Sequence, residues 1–215
     1  MKSFVITIMH LEDSVKLADR CIASAKKVGI DVEKFPAITP YDDPVEMAAK
    51  LKIPTRYFEN DFCRFENAVA TYLSHYSLWK KCIELNRPIL ILEHDAVFVN
   101  NLVPIIFNKC ISIGKPSYGG FNTPPSMGVN PLSSKPYFPG AHAYILKPSG
   151  AYEFVRMSKT HAGPADVYLH AGVFPWLQEL YPWPVEVRDS FSTIQVEKGC
   201  LAKHNYNENF EIKSV

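Results

Sequence analysis

Pro88-Ile89-Leu90-Ile91-Leu92-Glu93-His94-Asp95-Ala96-Val97-Phe98 reads as a buried β-strand that runs into two carboxylates. Long or branched aliphatics in unbroken succession after a proline suit a central strand covered on both faces. Charge at the end of such a strand has to lie at the rim of the sheet. In open α/β sheets, ligands bind beyond the carboxyl ends of the strands. Side chains alternate along an extended segment, so Glu93 and Asp95 are expected on one side and His94 on the other. Two same-side carboxylates supply hard oxygen ligands for Mg²⁺ or Mn²⁺, and such an ion could hold a diphosphate. The plain alternative is a pair of acids that opens a solvated loop.

Working outward, Glu66 to Glu84 predicts a helix with Val69, Tyr72, Leu73, Tyr76, Trp79 and Ile83 on one face, leading directly into this strand. Upstream, Phe4 to Met9 predicts an opening strand. A helix follows that Asp13 can cap, with Ala18, Cys21, Ile22, Ala25 and Val28 at three-and-four spacing and Gly29 at its end. A second strand near Val32 to Phe35 completes a β-α-β unit, which favours a parallel sheet. A modest helix is expected from Pro44 to Leu51. Downstream, the patterns predict a helix around Leu102 to Cys110 and strands near Tyr118 to Phe121 and Ala143 to Leu146. They also predict helices from Ser149 to Met157 and from Ala165 to Gln178, the last strained by Pro175. Residues 122–140 form a proline-punctuated irregular loop of a length usually tied to function or mobility.

The chain has 215 residues, enough for one substantial core, and no repeat or linker divides it. A single domain over 1–215 with a polar tail from about 199 is expected. Apolar residues make up 47% and charged residues 21%, an ordinary soluble composition. No apolar run approaches the roughly 18 residues of a membrane span, so no stable membrane insertion is expected. The start reads as a first strand rather than a signal peptide. Cys21, Cys63, Cys82, Cys110 and Cys200 are scattered, without a CxxC pair, and read as free thiols of a cytoplasmic protein. A net charge of +1 argues against strong non-specific nucleic-acid binding. Nothing in the sequence specifies an oligomeric state.

Several common signatures are missing: the GxxxxGK phosphate loop, GxGxxG after the first strand, HExxH and the GxSxG elbow. Ser74-His75 is no nucleophile-base pair, because neighbours on a helix point about 100° apart. His75 is expected on or near the buried face, stacked on Trp79. Gly119-Gly120 either permits close backbone approach to a ligand or forms a plain turn. Asp166 stands at a helix start, where capping would account for it. His204, alone in a polar tail, reads as a surface histidine unless a metal lies beside it.

Together these segments resemble family 25 glycosyltransferases, the lipooligosaccharide and collagen galactosyltransferase group. Leu73-Ser74-His75-Tyr76-Ser77-Leu78-Trp79 followed by Leu92-Glu93-His94-Asp95 resembles the family's "L-S-H-x-x-L-W" helix and "L-E-D-D" strand end. Phe35-Pro36-Ala37-Ile38 resembles the family's segment after the second strand, and Gly140 to Leu146, Gly163-Pro164-Ala165-Asp166 and Ser190 to Ile194 resemble later segments in the same order. The helix holding Asp19-Arg20 resembles its amino-terminal nucleotide-side unit. The resemblance departs at His94, where the family carries an acid. A metal site can survive this change if only the outer positions share a face. His94 either adds a nitrogen ligand or, by preference, packs on the reverse face.

The resemblance implies an α/β, single-domain nucleotide-sugar transferase type A fold with a mostly parallel central sheet flanked by helices. It implies metal-dependent, inverting transfer of a sugar from a nucleotide-diphosphate donor, with UDP the leading nucleotide, to an acceptor hydroxyl on a saccharide. Carried onto this chain, Asp95 is the direct ligand of Mn²⁺ or Mg²⁺ and Glu93 a ribose or outer ligand. His204 is a possible third ligand or base, and Asp166 the first choice of catalytic base. Donor-binding positions are implied at Thr7, Ile8, Met9, Arg20, Ser74, His75, Glu93 and Gly120. Two other readings stay open. One is sugar transfer to hydroxymethylated bases of phage DNA; the other is a catalytically silent nucleotide-sugar binder.

Overall fold

In the computed structural model, residues 1–59, 63–187 and 193–194 are described. The chain opens with β1 (Lys2–Thr7), α1 (Glu12–Lys27) and β2 (Glu33–Pro36), and β2 lies parallel to β1 with Phe4 beside Glu33. Helix α2 (Pro44–Lys50) and the long α3 (Phe65–Leu85) precede β3 (Ile89–Glu93), which returns parallel to β1 on its other side. The expected parallel β-α-β unit is thus present, and a second one is built on the other side of β1.

After β3 the chain turns at His94–Asp95 into β4 (Ala96–Phe98). The rest of the main sheet comes from β5 (Cys110–Ser112), β6 (Gly128–Pro131), β7 (Ala143–Leu146) and β8 (Leu177–Tyr181). Strand order is β2-β1-β3-β7-β5-β8-β6. β7 runs antiparallel to both β3 and β5, and β6 antiparallel to β8; the other five strands share one direction. The sheet is therefore mostly parallel, as expected. β4 pairs instead with β9 (Val185–Val187) in a small separate ribbon.

Strand β3 is buried on both faces. Ile89 and Ile91 enter one core with Tyr72, Leu78, Trp79 and Tyr144, under α3 and α4 (Pro148–Met157). Leu90 and Leu92 enter the opposite core with Ala18, Cys21 and Ala25 of α1 and Phe98 of β4. Alternation along one strand thus splits the molecule into two apolar layers with the sheet between them. Trp79 is fully buried at the centre of the larger layer, edge-on to Tyr72 and stacked with Tyr168 at 5.3 Å.

Several expected elements differ. Residues 101–108 form no helix: Pro104 and the β-branched Val103, Ile105 and Ile106 disfavour one, and the segment runs irregularly into β5. The strand expected near Tyr118 lies earlier, at β5. Helix formation after Ala165 stops at Tyr168, giving a four-residue α5 (Ala165–Tyr168), and the apolar run beyond it becomes β8. Asp13 lies inside the first turn of α1, with Leu11 at the cap position. The loop 122–140 contains β6, which the edge of β8 pairs into the sheet.

Candidate active site

The carboxyl ends of β1, β2 and β3 open onto a cavity of about 450 Å³. That volume suits a nucleotide-sized ligand, small-molecule sites spanning roughly 300–1,000 Å³. Ile6, Ile8, Leu11, Ala37 and Ile38 make an apolar wall, and Glu93, His94 and Asp95 make an acidic end. The wall forms because β1 and β2 carry their apolar alternation one or two residues past the last strand pairing. The turn after β2 is fixed by Asp42, whose carboxylate accepts from both the backbone N–H and the hydroxyl of Thr39 at 2.8 Å. At the mouth, His10 meets the exposed Tyr41 edge-on at 5.2 Å.

The extended conformation stops at Glu93, so strict alternation does not carry to Asp95. Glu93 turns to the α3 side and His94 to the α1 side, where its Nδ1 lies 2.9 Å from the Ser14 hydroxyl. That hydroxyl also accepts from the Ile8 N–H at 2.9 Å. His94 thus sits on the reverse face as expected, but as a polar tie to α1 and part of the cavity wall rather than by apolar packing. The two-residue turn brings Asp95 back to the same cavity, so both carboxylates serve it by a different geometry from simple alternation.

Behind Glu93 lies a buried polar chain. The Trp79 indole N–H can only donate, and it does so to the Tyr144 hydroxyl at 2.8 Å. Burial holds that phenol well above its ordinary range, so it keeps its proton. With Glu93 ionised, Tyr144 donates to His75 Nδ1 at 2.9 Å, and His75 donates from Nε2 to Glu93 Oε1 at 3.0 Å. The imidazole is fully buried and burial pushes it down to about 4, so it is neutral. His75 therefore stacks on Tyr144, at 5.8 Å and 18°, instead of on Trp79.

Glu93 has its proton affinity raised well above the carboxylate range, first by burial and then by the charges of Asp95 and Asp166, against a lowering by His94. Asp95 Oδ1 is buried and accepts no hydrogen bond. A pair of crowded acids with an orphaned oxygen is relieved by a cation. Hard carboxylate oxygens of this kind suit Mg²⁺ or Mn²⁺, and Asp95 and Glu93 are the residues that could hold such an ion. Among the described residues no cluster of three or more metal-ligating side chains occurs, so the protein alone supplies a partial set. His204 lies outside the described residues.

The other expected positions divide. Ile8 and Ser74 line the cavity. The Ser74 hydroxyl is occupied, donating to the Ala70 carbonyl at 2.9 Å and accepting from the Ile38 N–H at 2.8 Å, so it ties α3 to the cavity wall. Thr7 is buried with its hydroxyl on the Val5 carbonyl, and Met9 is 52% exposed. Arg20 is half-buried on α1 away from the lining, and Gly120 is exposed with open space around it. Ile6 and Ile8 face the cavity, so alternation along the chain turns Thr7 to the opposite side, and Met9 lies in the turn beyond the strand.

Asp166 is half-buried at the second position of α5, not at its cap. Its Oδ2 accepts from the Tyr118 hydroxyl at 2.6 Å and its Oδ1 from the Val167 N–H at 2.9 Å. It stands outside the cavity, yet its charge raises the proton affinity of both Glu93 and His75. Sequence reasoning missed Ser14, His10, Tyr118 and Tyr144, because only the tertiary register brings them to His94, the cavity mouth, Asp166 and His75.

A family model described as glycosyltransferase family 25 (LPS biosynthesis protein) matches residues 3–118. A search of curated proteins returns no match. The matched region contains the whole acidic turn and α3. No helix among the described residues is long and apolar enough to cross a membrane.

Proposed function

The chain belongs to glycosyltransferase family 25, whose model covers residues 3–118 of its 215, and from that membership we propose a metal-dependent, inverting transfer of a sugar from a UDP-sugar to a saccharide hydroxyl. One observation carries the reading. The Glu93–Asp95 acids face an apolar-walled cavity at the carboxyl edge of the sheet, and one Asp95 oxygen is buried without a donor.

The residues divide the work. Ile6, Ile8 and Ala37 offer a flat apolar wall to the nucleobase, and Asp95 and Glu93 receive the metal-diphosphate end. His75, held by Tyr144, fixes the Glu93 carboxylate in place. A bound divalent ion supplies Lewis-acid stabilisation of the charge that develops on the leaving diphosphate. The acceptor oxygen bonds to the anomeric carbon from the face opposite the diphosphate. The bond from that carbon to the phosphate oxygen breaks, its electron pair leaves with the nucleotide, and the hydroxyl proton passes to Asp166. Asp166 suits this role because its carboxylate is oriented by Tyr118 and Val167 and its charge acts on Glu93. A cavity walled by apolar groups also limits water that would hydrolyse the donor.

The test is nucleotide release from a panel of UDP-sugars with Mn²⁺, with and without saccharide acceptors and hydroxymethylated DNA. Metal-dependent release stimulated by a saccharide is expected, with Asp95→Ala reducing it by at least about a hundredfold, the scale of removing a transition-state charge partner. Turnover unchanged in Asp95→Ala overturns the proposal. Stimulation by DNA alone moves the acceptor assignment to modified bases.

A further inference from the structure

Beyond the donor cavity, a second group of side chains gathers around Tyr118, whose hydroxyl donates to Asp166. We propose that Lys135, Tyr118, Tyr137 and His170 form the acceptor subsite, and that it takes a saccharide bearing an anionic group such as a phosphate or carboxylate.

The Lys135 ammonium lies 4.9 Å from the Tyr118 ring centre and 5.5 Å from that of Tyr137. The two rings are 6.3 Å apart and tilted by 33°, and Tyr137 stacks on His170 at 6.4 Å and 20°. A backbone bridge between Tyr137 and His170 locks that stack. Gly119, at φ +66°, leaves the space the lysine occupies, since a Cβ there would stand 3.0 Å from Nζ. All four side chains are half-buried, so each presents some surface to solvent.

Among the described residues Lys135 has no carboxylate partner, and its neighbours are ring faces. Ring faces hold a cation by their quadrupole but leave its charge uncompensated. An anionic group makes the stronger, charge-assisted contact. Aromatic faces also suit the C–H faces of a sugar ring, leaving its hydroxyls free for polar partners. The geometry joins this platform to the chemistry: the Tyr118 hydroxyl that donates to Asp166 at 2.6 Å belongs to the ring beneath Lys135. Burial and the Asp166 charge raise the Tyr118 phenol far above its ordinary range, so it stays a donor. None of the four lines the donor cavity, so a ligand held here is separate from the one held there.

This inference rests on the proposed transfer only for the word acceptor; the binding chemistry stands separately. The probes are glucose 6-phosphate and glucose, titrated at millimolar concentration and followed by backbone amide shifts, with UDP and Mn²⁺ titrated in parallel. Glucose 6-phosphate is expected to shift amides around Tyr118 and Tyr137, to bind about tenfold more tightly than glucose, and to lose about tenfold in Lys135→Gln. It should bind alongside UDP. Equal affinity for the two sugars, no effect of Lys135→Gln, displacement by UDP, or no saturable binding at these residues overturns the subsite. Failure of UDP to bind anywhere would instead count against the donor reading and leave the sugar titration to decide its own question.

Discussion

Tyr144 stands between a donor that must be accepted and an acceptor that must be filled, so the buried polar chain behind Glu93 depends most on its hydroxyl. Tyr144→Phe keeps the ring but leaves the Trp79 N–H and His75 Nδ1 without partners in a buried site. Each unsatisfied group costs roughly 1–3 kcal/mol, so urea unfolding should show a loss of about 2–6 kcal/mol. A variant as stable as the parent would contradict the chain. His142 supplies a second residue-scale expectation. It is 2% exposed, packed beside Gly114 and Gly140, and burial pushes it down to about 4 from an ordinary 6.5. Falling pH protonates this side chain in the unfolded chain first, so stability present above pH 6.5 is lost on the way to pH 4 and levels off below. His75 acts in the same sense and Glu93, raised when folded, in the opposite one. The His142 share is isolated by difference: in His142→Gln the loss between neutral pH and pH 4 should shrink by about 3 kcal/mol. Equal losses in the two proteins would contradict it. Glu93 and Asp95 were legible because acids after an aliphatic run must sit at a rim. Tyr144 and Tyr118 were not, since each reaches the site from a strand or loop whose register no local pattern encodes.

Among elements, α1, α3 and β3 were legible because each carries one strong period over its whole length. Residues 101–108 show how such a pattern misleads. Leu102, Ile105 and Ile106 fall at helical spacing, but Pro104 and β-branching favour an extended course, and Asn108 instead donates its N–H to the Gln178 side chain at 2.6 Å. The Ala165–Gln178 run misled similarly, with a long apolar stretch divided between a single turn and strand β8. At the end of α2, Lys52 closes the helix in a left-handed conformation, φ +55°, with its N–H on the Ala49 carbonyl at 2.9 Å. That conformation strains a residue with a Cβ and suits glycine. Lys52→Gly is expected to raise stability by about 1 kcal/mol in thermal or urea unfolding. A decrease would mean that its side chain makes a contact worth more than the backbone strain.

Across the whole molecule, two apolar layers hold one sheet rigid and leave its carboxyl edge to chemistry. The matched residues 3–118 supply the acidic turn and all of the cavity lining but Thr193 and Ile194, while Lys135, Tyr137, Asp166 and His170 come from the chain beyond them. Under the proposed reading, that division assigns the nucleotide to the matched part and the acceptor largely to the chain beyond it. The overall α/β order and the position of the acids could be read from the sequence. The turn at His94–Asp95, which sets how both acids meet one ligand, depends on β4 leaving the main sheet to pair with β9. The central claim is that this turn holds a metal-diphosphate. It is tested most directly by anomalous scattering from crystals grown with Mn²⁺ and UDP. A manganese peak at coordination distance from Asp95, bridging to the UDP phosphates and lost in Asp95→Ala, is the expected result. UDP seated in the cavity with no metal at Asp95, or manganese bound elsewhere, would contradict it.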